Sequence, residues 1–229
     1  LVLSLVRNGD RMPATTAEPL RSMPGVDMAI DSGPTRLGRV ATAVRVENDR
    51  WSIIREGAVD AVTLSRRSGT ILAFICTGNT CRSPMAAAIC KVLLARRLGC
   101  PIAELETRGF HVVSAGIAAS SGAPAATHAV DVVRGMGGSL DQHRSRPASL
   151  DLVRQADHLF VMTGDHLNAL LEAAPEIEPT VRLLDPDGSD VPDPIGSDQT
   201  TYRRTAEIIE RMLSHRLDEL GLAVSSRSA

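Results

Sequence analysis

Apolar and polar positions follow two different rhythms along this chain, and the change falls near residue 64. Before it, short extended pieces are broken by turn formers. ATAVRV (41–46) and WSII (51–54) alternate as half-exposed strands do, and the Asn48-Asp49 pair between them predicts a hairpin turn. Residues 64–70, LSRRSGT, are polar, carry a glycine and two arginines, and read as a linker. Beyond them, apolar runs of strand length alternate with longer stretches of helical period. The pattern predicts strands over 71–76, 110–114, 158–162 and 181–184, and helices over 84–98, 123–136, 147–155, 164–174 and 200–220. The last helix is the clearest, with Tyr202, Ala206, Ile209, Leu213, Leu217 and Leu220 on one face. Strands without a polar face, each followed by a helix, imply an α/β domain over residues 71–229 whose parallel sheet is covered by helices on both faces.

Composition adds boundaries to that picture. A chain of 229 residues with 43% hydrophobic content can hold one generous domain or one complete domain with an appendage, and length alone does not choose. The strand-rich piece over residues 1–63 is too small to bury a core of its own, so it reads as the end of something larger. A formal charge of −2, with basic residues scattered, gives no footprint for nucleic acid or an anionic membrane. No apolar run approaches the roughly 20 residues of a membrane span, and the first residues lack the charged-then-apolar layout expected of a secretory signal. The four cysteines, Cys76, Cys81, Cys90 and Cys100, crowd into one stretch, which suits a reduced compartment and a cytoplasmic location. They lack the paired spacing of a zinc site, so no metal is expected.

The chemistry concentrates in residues 71–99, ILAFICTGNTCRSPMAAAICKVLLARRLG: an apolar strand, a short loop with a glycine, then a helix. Ser83 suits the N-cap and Pro84 the first helical position, so the loop Cys76, Thr77, Gly78, Asn79, Thr80, Cys81, Arg82 wraps a helix N-terminus. Backbone N–H groups and the positive end of the helix dipole make such a place an anion site. A cysteine facing it is favoured as thiolate, because the donors that hold phosphate also hold S⁻. Arg82, six positions after Cys76, carries a planar fork that can grip two phosphoryl oxygens. An isolated cysteine is most often a buried packing residue. At this junction, strand, turn, nucleophile and cation come together. Two Asp-Pro pairs, Asp185-Pro186 and Asp193-Pro194, each offer an acid that could protonate a leaving group, and spacing alone does not choose between them.

CTGNTCRSPMA resembles the signature of the low-molecular-weight protein tyrosine phosphatases, and the similarity runs over residues 70–221. Further marks follow in order: SAG at 114–116, LDQHRSR at 140–146, HLFVM at 158–162 and PDPIG at 192–196. The resemblance implies a four-stranded parallel sheet, a phosphocysteine intermediate on Cys76, and no metal or organic cofactor. It implies that Asp193 is the general acid, that Cys81 guards Cys76 by forming a reversible disulfide, and that Asn79, Ser83, Ser114 and His143 hold the loop in shape. The implied partner is a phosphorylated protein.

The substrate divides the family. Phosphotyrosine is its commonest assignment, whereas Thr80 matches the loop threonine of protein arginine phosphatases. Ile195 departs from both groups, which usually carry an aromatic residue after the Asp-Pro pair. Arsenate reduction, which relatives perform with cysteines far downstream, is disfavoured because none follows Cys100.

Residues 1–62 resemble the carboxy-terminal end of the YrdC-type threonylcarbamoyl-adenylate synthases, with GPTRLGRVATAVRVENDRWSIIREGAV carrying the likeness. Two motifs depart: Ser4-Leu5-Val6-Arg7 stands where that family has Thr-Ser-Ala-Asn, and Ala41-Thr42-Ala43 where it has Ser-Thr-Val. Two expectations follow. Either the segment is the tail of a fused synthase of tRNA modification, or it is a remnant whose exposed strand edges, within residues 1–66, promote self-association.

Overall fold

The computed structural model describes residues 38–47 and 50–221, and the chain divides into two compact units between Arg67 and Ser68. In the first unit β1 (Ala43–Glu47) and β2 (Arg50–Arg55) pair antiparallel, with Glu47 opposite Arg50. This is the hairpin that the alternation predicts. Its turn residues Asn48 and Asp49 lie outside the described residues, as does the stretch containing Ser4-Leu5-Val6-Arg7.

The stretch read as a linker, residues 64–70, contains the division between the units but is largely helical. Helix α1 covers Ala61–Ser68 and the next strand, β3, begins at Thr70, leaving only Gly69 between them. Asp60 explains the difference. Its carboxylate accepts from the Thr63 N–H at 2.7 Å and its carbonyl from the Leu64 N–H at 3.0 Å, so a helix starts where the sequence looks merely polar. No glycine or proline stands between Asp60 and Gly69 to break the helix.

In the second unit the order after β3 (Thr70–Cys76) is α2 (Arg82–Leu98), β4 (Phe110–Gly116), α3 (Thr127–Gly135), α4 (Leu150–Gln155), β5 (His158–Val161), α5 (Gly164–Ala173), β6 (Val181–Leu183) and α6 (Gln199–Glu219). The four strands form one parallel sheet in the order β4-β3-β5-β6. Leu72, Ala73, Phe74 and Ile75 of the central strand are wholly buried, as parallel strands covered on both faces must be. Their side chains alternate between two cores. Leu72, Phe74 and Phe160 join α2, α3 and α6 on one face, and Ala73, Ile75 and Leu159 join α4 and α5 on the other. The α6 stripe of Tyr202, Ala206, Ile209, Leu213 and Leu217 is buried as predicted, and Leu220 packs partly buried against the same core.

Two helices start later than the apolar period suggests. Residues 123–126 are held instead by the loops: Ala123 exchanges hydrogen bonds with Ser145, and the Ala126 N–H reaches the Thr80 carbonyl at 2.9 Å. Pro147 forms a parallel bridge with Gly116, so α4 waits for Ser149, whose hydroxyl caps it from the Leu152 N–H at 3.2 Å.

This topology sets the carboxyl ends of β3 and β4 side by side, with Cys76 in register with Gly116. There the chain has no room. A Cβ on Gly116 would collide with the Thr77 carbonyl and would stand 2.9 Å from both the Asn79 nitrogen and the Ala119 Cβ. Gly116→Ala should therefore cost about 1–3 kcal/mol of stability, measured by urea unfolding. Inside α2, Cys90 is wholly buried, and that burial pushes its thiol up to about 12, against the opposing charges of Lys91 and Arg97. Iodoacetamide at mildly alkaline pH should label the half-buried Cys100 in the native protein and spare Cys90 until denaturant is added, as read by peptide mass spectrometry.

Candidate active site

Strand β3 ends at Cys76 and helix α2 begins at Arg82, so residues 77–81 reverse the chain within one tight loop. The reversal needs a left-handed residue. Asn79, at φ 55°, is the one non-glycine residue with positive φ among the described residues, and asparagine tolerates that region better than most. Wholly buried, it is tied on every side. Its amide nitrogen donates to the hydroxyls of Ser83 and Ser114, both at 2.9 Å, and its side-chain oxygen accepts from the Arg146 N–H at 3.0 Å. Its carbonyl meets His143 Nε2 at 2.8 Å. Asn79, Ser83, Ser114 and His143, named separately from the sequence, thus form one cluster.

The N-cap expectation for Ser83 is corrected. The cap position belongs to Cys81, which makes no side-chain cap bond, and Arg82, Ser83 and Pro84 all lie in the first turn. The Ser83 hydroxyl is used elsewhere. It sits 3.0 Å from Cys76 Sγ, accepts from Asn79, and has the Ala115 carbonyl at 3.2 Å as an alternative acceptor. Pro84 costs no hydrogen bond there, since the first-turn N–H groups of a helix have no intrahelical partner.

Two groups converge on the buried sulfur of Cys76: the Asn79 N–H donates to it at 3.3 Å, and the Ser83 hydroxyl lies 3.0 Å away, where either atom can donate. The start of α2 lies behind it, which makes the loop suited to an anion. Arg82 is also buried, with Nη2 2.5 Å from the Asp193 carboxylate and Nη1 3.4 Å from the Val191 carbonyl. The two Asp-Pro pairs therefore differ in surroundings. The Asp185 carboxylate holds its own turn, accepting from the N–H groups of Asp187 and Ser189, whereas Asp193 meets the arginine of the loop and stays 41% exposed. Ile195 follows Asp193 with its side chain in solvent and its N–H on the Asp193 carboxylate at 3.2 Å.

Cys81 is buried and reduced, and its sulfur lies 3.1 Å from the Tyr202 hydroxyl. Burial and then that contact with Cys81 push the Tyr202 phenol above its ordinary range, so it remains neutral. Thr80 is half-buried, its hydroxyl 3.7 Å from Cys81 Sγ. Thr77 is exposed, and Gly78 leaves Thr80 as the nearest neighbour a side chain there would meet. Among the described residues no group of His, Cys, Asp and Glu is placed to hold a metal ion. No helix among them is long and apolar enough to cross a membrane.

Sequence reasoning missed His166, Tyr202, Arg146 and the crowding at Gly116. Tyr202 and Arg146 sit far along the chain from the loop they contact, so spacing gives no hint. His166 left one local signal: Thr163-Gly-Asp-His has the spacing of a capping box, with histidine where glutamate or glutamine usually stands.

Residues 71–225 match the family described as low molecular weight phosphotyrosine protein phosphatase. A protein-arginine-phosphatase of Geobacillus stearothermophilus is 30% identical over 151 residues, covering 64% of this chain and 93% of that protein. A probable low molecular weight protein-tyrosine-phosphatase, EpsP, of Ralstonia nicotianae is 34% identical over 138 residues, covering 60% and 86%. Among solved structures, a cysteine-to-serine mutant of the YwlE arginine phosphatase with a phosphorylated active-site serine aligns with TM-score 0.59 and 30% identity, covering 69% of this chain and 98% of that one. Sheet order, loop sequence and these matches converge on one statement: the chain belongs to the low molecular weight phosphotyrosine protein phosphatase family.

Proposed function

We propose that Cys76 is the nucleophile of a protein phosphatase acting on phosphotyrosine, with Arg82 gripping the phosphoryl group and Asp193 exchanging the proton. The observation that carries this reading is the convergence of the Asn79 N–H and the Ser83 hydroxyl on the Cys76 sulfur, at the mouth of a helix whose first residue, Arg82, reaches Asp193.

In the first step the sulfur attacks phosphorus, an S–P bond forms, and the P–O bond to tyrosine breaks. Asp193 gives its proton to the departing phenolate oxygen. In the second step water attacks the same phosphorus and loses its proton to Asp193. The S–P bond breaks, the Cys76 thiolate returns, and inorganic phosphate leaves. The Arg82 fork stabilises charge on the equatorial oxygens in both steps, and the first-turn N–H groups of α2 share that load. The remaining loop residues, Thr77, Gly78, Thr80 and Cys81, shape the concavity. Cys81, five residues after Cys76 and with its sulfur 3.1 Å from the Tyr202 hydroxyl, serves as redox guard in this reading.

A second substrate reading rests on Thr80 and on the arginine phosphatases among the relatives: phosphoarginine, in which the bond broken is P–N. The exposed, aliphatic Ile195 supplies no ring to stack on either substrate. For residues 1–63 we propose the carboxy-terminal part of a YrdC-like domain, serving as a contact surface. The exposed apolar side chains of Val46 (71%) and Ile54 (60%) support self-association through it. The crowding of all four cysteines between residues 76 and 100 supports a cytoplasmic location.

Three variants test the assignment of roles on phosphotyrosyl and phosphoarginyl peptides. Cys76→Ser should abolish turnover of both. Arg82→Lys should lower kcat/KM by about 100-fold or more, because an ammonium cannot grip two oxygens. Asp193→Asn should lower kcat by roughly 100- to 1,000-fold. Turnover by Cys76→Ser at the wild-type rate would overturn the mechanism, and the ratio of the two wild-type rates decides the substrate. Separately, a fragment beginning at Ser68 should keep the full kcat/KM and be monomeric by light scattering, while the longer chain associates. Loss of activity in the fragment would show that the first unit contributes to the site.

A further inference from the structure

His166 occupies an unusual place beside the loop. It is buried at 3% exposure in the first turn of α5, and both ring nitrogens face threonine hydroxyls. Nδ1 lies 2.7 Å from Thr163 Oγ1 and Nε2 lies 2.9 Å from Thr77 Oγ1, a residue 89 positions away and the one that follows Cys76. The imidazole is thus a rigid strut between the cap of α5 and the first residue of the phosphate loop.

Of the two tautomers these contacts allow, one gives every hydrogen of the chain a partner. Thr163 caps α5 by accepting from the His166 backbone N–H at 3.3 Å. Its hydroxyl hydrogen then finds an acceptor in Nδ1, which places the ring hydrogen on Nε2, where it donates to Thr77 Oγ1. The opposite arrangement would load the Thr163 oxygen with two donors and leave its own hydrogen without this partner. Burial, and after it the positive charge of Arg82, holds His166 below the ordinary imidazole range, against the opposing carboxylates of Asp165, Asp190 and Asp193. A neutral ring is what the relay requires. In this tautomer Thr77 accepts from the ring and keeps its own hydroxyl hydrogen for another acceptor, and Thr77 is exposed at the loop.

We propose that His166 is a positioning residue that fixes Thr77 so that the Thr77 hydroxyl donates to the phosphoryl group of the bound substrate. The inference rests on the phosphatase reading above and adds a side-chain donor to the loop's backbone donors. The chain Thr163 O–H to Nδ1, Nε2–H to Thr77, Thr77 O–H to phosphoryl oxygen runs in one direction and needs no proton to leave the protein. It also ties the loop to α5, on the sheet face opposite α2.

A double-mutant cycle tests it with a phosphotyrosyl peptide as probe. Thr77→Val removes the hydroxyl at constant shape and should lower kcat/KM about tenfold, the loss expected for one hydrogen bond to a charged group. Thr77→Ser, which keeps the hydroxyl, should stay within about threefold of wild type. His166→Phe should fall about as far as Thr77→Val, and the double variant no further, because the two act through one bond. His166→Gln, whose amide can donate in place of Nε2, should recover part of the loss. Thermal unfolding of each variant separates a folding defect from a kinetic one. Multiplicative losses in the double variant, or wild-type kinetics in Thr77→Val, would overturn the proposal while leaving the Cys76 mechanism intact. Activity surviving in Cys76→Ser would instead remove the reading on which it stands.

Discussion

The structure depends on one strained residue held in place by its neighbours. Asn79 takes a left-handed backbone conformation that opens the loop after β3, and it persists because four hydrogen bonds satisfy its amide group and carbonyl. Those bonds come from α2, from β4 and from the segment carrying His143 and Arg146, three parts of the chain far apart in sequence. The loop's shape is therefore a tertiary property. Its reward is a backbone N–H aimed at the Cys76 sulfur and a concavity matched to phosphate. Leaving any of these polar groups unpaired in a buried site would cost about 1–3 kcal/mol, so the cluster stands or falls together.

Around that loop the parallel sheet acts as a frame. Alternation along β3 commits odd and even side chains to separate cores, which fixes the strand's register and so the position of Cys76 at its end. The close approach of Gly116 then sets the loop against β4. On the side away from α2, the capped end of α5 meets Thr77 through His166, and near the start of α6 Tyr202 meets Cys81. Each wall of the loop is thus supported by a separate helix or strand, and the arginine that closes it is already engaged with Asp193.

Much of this was legible in the sequence, and most of the parts that were not share a cause. Strands such as 71–76 announce themselves because parallel strands buried on both faces must be continuously apolar, and CTGNTCRSP compresses nucleophile, turn and cation into nine adjacent residues. Errors arose where a local rule met a non-local demand. Ser83 has the chemistry of an N-cap, but the Cys76 sulfur and Asn79 claim its hydroxyl first. One difference is local: residues 64–70 look irregular because they are polar, and polarity does not oppose a helix once Asp60 starts it. Residues 123–126 carry a helical period and are taken instead by Ser145 and Thr80. The capping-box spacing marks His166 only as part of the α5 cap, and its link to the loop is not legible because Thr77 lies 89 residues upstream.

The central claim is that phosphate passes through a covalent bond to Cys76. Rapid acid quench of the enzyme during turnover of a phosphotyrosyl peptide, followed by peptide mass spectrometry, tests it directly. The account predicts one added phosphoryl group on the peptide containing Cys76, accumulating further in Asp193→Asn if water attack becomes the slower step, and absent from Cys90 and Cys100. Continued release of inorganic phosphate with the Cys76 peptide unmodified at every quench time would contradict it.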